Sequence, residues 1–141
     1  MTTGIASLTH AAEKAQQWVN ELAEDLDWDI QKSHRLLRSV LHTLRDWLSR
    51  DEMADLAAQL PLLIRGIFFE GWDPSASPAE DRSKARFVEQ VQREMGKDVI
   101  ENPDRAINQV FRLLERHLDE GELKQVRNSM NKHIRQLWPS H

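Results

Sequence analysis

Apolar residues along this chain recur at steps of three and four, the spacing of a helix face rather than the alternation of a strand. The pattern is also written twice. At a shift of 70 residues, Leu37/Ile107, Val40/Val110, Leu41/Phe111, Leu44/Leu114, Leu48/Leu118, Met53/Leu123, Leu56/Val126, Leu60/Met130, Ile64/Ile134, Ile67/Leu137 and Phe68/Trp138 are apolar in both copies. Upstream, Trp18, Val19, Leu22 and Leu26 are matched at a shift of 69 by Phe87, Val88, Val91 and Met95. The pattern predicts an all-α fold, a six-helix domain built from two duplicated three-helix units. The units span residues 9–68 and 80–138, are joined by a loop over 69–79, and face each other across one shared core.

Local signals sharpen the boundaries. The first helix is expected from about Thr9 to Leu26. The alternating Asp25, Asp27 and Asp29 look like the start of a calcium loop, but Ile30 and Leu36 stand where that loop needs glycine and glutamate, so they read as a helix end followed by an N-cap. Ser49 with Glu52, and Asp119 with Glu122, form equivalent capping boxes, which accounts for the repeated glutamate without any chemistry. Ser77, Pro78 and Glu80 mark a helix start, Gly96 a helix stop, and Asn102 with Pro103 another start. Pro61 falls inside an apolar helical pattern, where its ring and missing N–H should kink or restart the helix near Gln59. Its counterpart is Asn131, so only the first copy should bend.

The stretch AAQLPLLIRGIFFEGWDP, Ala57–Pro74, with the preceding RSVLHTLRDWLSRDEMADL, closely resembles the bacterial DUF2267 family, and the resemblance covers nearly the whole chain. It implies an all-helical domain of bacterial type. It brings no catalytic residues to carry over.

Composition narrows the candidate chemistry. The 141 residues have no cysteine, which excludes disulfides, thiolate nucleophiles and cysteine metal sites together. The opening Met1–Leu8 has no basic segment or apolar run, and no stretch approaches the ~20 apolar residues of a membrane span, so a cytoplasmic protein without a membrane partner is expected. None of the six histidines is duplicated, and the chain contains no E-x-x-H or H-E-x-x-H, so neither a metal site nor a cofactor is expected. No G-x-S-x-G or phosphate loop is present, and the chain reads as non-enzymatic.

The net charge of −4 is unevenly spread, with residues 1–81 acidic and 82–141 basic. The basic second half, with Lys124, Arg127, Lys132 and Arg135, raises nucleic-acid binding as an alternative. The interleaved Glu120 and Glu122, and the lack of aromatics among the cations, argue against it. A small-ligand or catalytic pocket between the copies is a second alternative. The leading expectation is an accessory or interaction domain that binds a protein partner or a second copy of itself. Four residues are candidates: Phe69 and Trp72 in the joining loop, and the repeated Arg65 and Arg135 on the third helix of each copy. Phe69 and Trp72 should fold back onto the junction of the two units, and both arginines should be ion-paired or exposed, while Trp18 and Trp138 fall on apolar faces and Trp47 and Trp28 lie at helix edges.

Overall fold

The computed structural model describes residues 5–75, 83–129 and 132–138, the side chains at 129, 133 and 134 excepted. Among these residues the chain is helical, with no strand: α1 (Ala6–Leu26), α2 (Ile30–Trp47), α3 (Arg50–Gln59), α4 (Leu62–Phe69), α5 (Lys84–Met95), α6 (Pro103–His117), α7 (Glu120–Ser129) and the single turn α8 (Lys132–Arg135).

Most boundaries follow the local signals. α1 ends at Asp27, which takes a left-handed φ of 56°, and Asp29 caps α2 by accepting from the Lys32 N–H at 2.7 Å. The Ser49–Glu52 box closes reciprocally at 3.2 and 3.0 Å. Asp119 accepts from the Glu122 N–H at 3.0 Å, and Asn102 from Arg105 ahead of Pro103. Gly96 ends α5 at φ 66°, a conformation that costs a residue without Cβ little. The start of α5 differs from expectation: its N-cap is Ser83, which accepts from the Arg86 N–H, while the Ser77, Pro78 and Glu80 signal lies outside the described residues.

Pro61 divides the third helix of the first copy into α3 and α4, a restart rather than a bend. With no N–H, it stands in extended backbone between the two, and the Arg65 N–H takes its carbonyl at 2.8 Å. The unbent counterpart expected at Asn131 lies outside the described residues.

The core is continuous, and the repeated positions are its backbone. Leu37/Ile107, Val40/Val110, Leu41/Phe111, Leu44/Leu114, Leu48/Leu118, Met53/Leu123 and Leu56/Val126 are buried in both members of each pair. Each such side chain contributes roughly 1.5–3 kcal/mol when removed from water. α1 packs on α2, α4 and α6, and α5 packs on α6, α8 and α2. Helices α2 and α6 meet each other, as do α3 and α7. Helix by helix, the first three of these contacts match the second three when α1 is exchanged for α5, α2 for α6 and α4 for α8.

Aromatic pairs repeat the exchange. Trp18 of α1 stacks on His117 of α6 at 4.9 Å, and Phe87 of α5 meets Trp47 of α2 edge-on at 5.2 Å. Trp47, placed at a helix edge by the periodicity, is therefore buried: its indole Nε1 donates to Gln90 Oε1 at 3.2 Å. Trp18 and Trp138 are in the core and Trp28 is half-buried, as expected.

Candidate interaction surfaces

The carboxyl end of α4 is held by α2. Arg45 is only 5% exposed, and its Nη1 donates to the Phe68 carbonyl at 3.2 Å and the Glu70 carbonyl at 2.8 Å, while its Nε reaches Asp46. His42 meets the Ile67 carbonyl through Nε2 at 2.7 Å, and Arg38 pairs with the Glu70 carboxylate. The last carbonyls of a helix have no partner within it, so α2 supplies the donors that close α4. Sequence reasoning missed Arg45 and His42. Their only signal was polarity on an otherwise apolar face.

Phe69 is the last residue of α4 rather than a loop residue, because Pro61 restarts the helix early enough to carry it through that position. Its ring lies 5.0 Å from Phe68 and 5.6 Å from Trp72. Both Phe69 and Trp72 are half-buried against the core. Asp73 shapes the turn beyond by accepting from both the N–H and the hydroxyl of Ser75, which hold its carboxyl below the usual carboxylate range.

Arg65 and Arg135 share a register but not a described role. Arg65 Nε donates to the Ala57 carbonyl at 2.8 Å and Nη2 to the Leu60 carbonyl at 3.0 Å, which caps α3 where Pro61 interrupts it. The guanidinium thus meets backbone carbonyls rather than a carboxylate, and the residue is exposed, one of the two expected outcomes. Arg135 is exposed on α8. The structure therefore does not bring the four candidates into one site.

The outer face of α4 is apolar as well as its inner one. Ile64 and Phe68 point into the core, while Leu62 is 56% and Leu63 42% exposed. Gly66 follows one turn later with open space where a Cβ would stand, and half-buried Phe69 ends the stripe. A short helix apolar on both sides is unusual for one resting on a protein surface.

Across the molecule, α1 and α6 are tied by charge. Arg116 donates to Glu21 at 2.7 Å and to Asp25 at 3.1 Å, and His117 Nε2 lies 3.0 Å from Glu21. Burial opposes ionisation of Glu21, but hydrogen bonds and charge from Arg116 and His117 prevail and hold its carboxyl below the usual range. The matching place between α5 and α2 has Gln90 against Trp47 and Asp46, a largely neutral version of the same junction. Arg35 and Arg105 reach the carboxyl ends of α5 and α1, Arg35 to Asp98 just beyond α5 and Arg105 to the Asp25 carbonyl in the last turn of α1.

Three concavities are relevant to ligands. The largest, about 510 Å³, lies between α6 and α7 and is lined by Arg112, Arg116, Lys124 and Arg127. Glu115 and Glu120 share its rim and Leu123 its floor. Lys124 and Arg127 thus join a basic surface as expected, but with α6 cations rather than with Lys132 and Arg135. Between α3 and α7 lies a polar dent of about 130 Å³. A further hollow, about 300 Å³, is lined by Trp28, Lys32, Val99 and Arg105 among others. Among the described residues no group of three His, Asp or Glu could hold a metal ion, and no helix is long and apolar enough to cross a membrane.

Fold and surface together define an all-helical domain with one continuous core. The sequence matches the uncharacterized conserved protein family DUF2267 over residues 15–137, most of the chain, and the chain belongs to that family. No curated protein matches it.

Proposed function

We propose that this chain is a non-enzymatic interaction domain of the bacterial cytoplasm, made of two three-helix units related by an approximate two-fold, which docks a protein partner through the outer face of α4. The duplication is supported by the repeated core positions, by the exchanged pairs Trp18–His117 and Phe87–Trp47, and by the matching junctions at Glu21 and Gln90. The interaction reading is carried by one observation: Leu62 and Leu63 stand exposed together on a helix whose other face already fills the core. Two adjacent leucines left in water cost roughly 25 cal/mol per Å² of apolar area, a cost that a docked partner removes. Phe69 and Trp72 border the same helix and extend the apolar surface.

A photo-crosslinking residue at position 63, in cells that make the protein, tests this. A discrete protein adduct is expected from position 63 and none from position 89, which is exposed on α5. Equal labelling from both positions, or no adduct from 63, removes α4 as the docking face. The double variant Leu62→Asp/Leu63→Asp should lose the adduct and keep the fold, because both side chains point outward.

A further inference from the structure

We propose that the groove between α6 and α7 binds an acidic peptide segment. The argument begins at matching positions on the two central helices. His42 and Arg45 of α2 are followed 70 residues later by Arg112 and Glu115 of α6. On α2 that surface is covered by the end of α4, whose carbonyls sit on His42 and Arg45 and whose Glu70 carboxylate sits on Arg38. This fold therefore already holds a helix end, by its last carbonyls and a carboxylate, across its central helix.

On α6 the returning chain is held one turn earlier. Asn108, the counterpart of Arg38, donates to the Leu137 carbonyl at 3.3 Å, and Trp138 lies on Phe111 at 4.4 Å. Beyond them the surface around Arg112 and Glu115 opens into the groove of about 510 Å³.

The lining selects the ligand. Arg116 is committed to Glu21 and Asp25, whereas Arg112, Lys124 and Arg127 make no ion pair among the described residues. Guanidinium forks match carboxylates two bonds at a time, and Leu123 offers an apolar floor between them. Glu115 and Glu120 on the rim repel a continuous run of phosphates but tolerate discrete carboxylates spaced along a peptide. A volume in the range of discrete ligand sites also argues against a channel that tracks a nucleic-acid backbone.

The test uses the full chain and a fluorescein-labelled helical peptide of about fifteen residues with glutamates in its last turns. A Gln-for-Glu peptide and an oligo(dT) of equal length serve as comparisons. Binding is followed by fluorescence anisotropy and amide chemical shifts at about 0.15 M salt. Saturable binding of the acidic peptide is expected, with shifts confined to α6 and α7 and the Gln peptide much weaker. Lys124→Glu/Arg127→Glu should lower affinity by about tenfold or more, while Arg50→Glu/Lys97→Glu, the same charge change elsewhere, should not. Circular dichroism confirms that both variants fold, and Arg112→Gln provides an independent loss at the α6 wall. Leu62→Asp/Leu63→Asp should bind the peptide normally, which separates this site from the α4 face. Absent or unlocalised shifts, equal loss in both charge variants, or tighter binding of oligo(dT) than of the peptide overturns the proposal, the last in favour of nucleic acid.

Discussion

His42 is 5% exposed and uses Nε2 to satisfy the Ile67 carbonyl. Burial lowers its pKa, the Arg45 and Arg38 charges act in the same direction, and the Ile67 carbonyl and Glu94 oppose them without prevailing. The unfolded chain takes up this proton near the ordinary value of about 6.5, and the folded chain resists it. The contribution to stability is therefore complete above that value and is lost as pH falls through it toward the depressed folded value. Urea unfolding from about pH 8 to about pH 5 should show this as a decline that is shallower in His42→Asn, which keeps a donor. Parallel curves for the two proteins count against the assignment. Trp72 belongs to the same scale: half-buried against Phe69, it should cost about 2 kcal/mol on replacement by alanine, below the range for fully buried aromatics. Denaturant unfolding of Trp72→Ala measures it, and an unchanged midpoint would assign the ring to partner binding instead.

At the scale of elements, Pro61 and Arg65 act together. The proline ends α3 early, and Arg65, on the first turn of α4, reaches back to the Ala57 carbonyl, which also accepts from the Leu60 N–H, and to the carbonyl of Leu60 at the C-cap. Arg65→Met should lower stability by about 1 kcal/mol, since water can replace part of what the guanidinium supplies at this exposed corner. The same variant separates capping from anion recognition. Phosphate titration followed by chemical shift should give the same response in Arg65→Met as in the parent protein, and a saturable site lost on substitution would restore the alternative.

Across the whole molecule, the contacts that join α1 to α6 and α5 to α2 differ in chemistry. Glu21 with Arg116 and His117 closes one junction, and Gln90 with Asp46 and Trp47 closes the other. Glu21 is ionised more readily folded than unfolded, so its contribution is present above the ordinary carboxylate pKa and is lost as pH falls through the depressed folded value. Glu21→Gln makes the first junction resemble the second. Thermal unfolding at a series of pH values should show the variant less stable than its parent near neutrality, with the gap closing in acid. A gap independent of pH would mean that the carboxylate charge is not what joins α1 to α6.

The sequence by itself determined the all-helical class, the positions of the core, an interruption at Pro61 and caps such as Ser49 and Asn102, because each depends on residues a turn or two apart. The same local reading placed Phe69 in a loop and Trp47 at an edge, since it could not weigh how far α4 extends or what α5 brings against α2. Arg45, His42 and Glu21 gave no usable signal as a set. Their partners stand 25 and 96 residues away in the clearest cases, and a charged side chain on a helix shows the same pattern whether it faces water or the end of a distant helix. Only the packing of helices distant in sequence decided which polar groups would be buried, because burial of a charge is tolerated only where the tertiary structure supplies its partners.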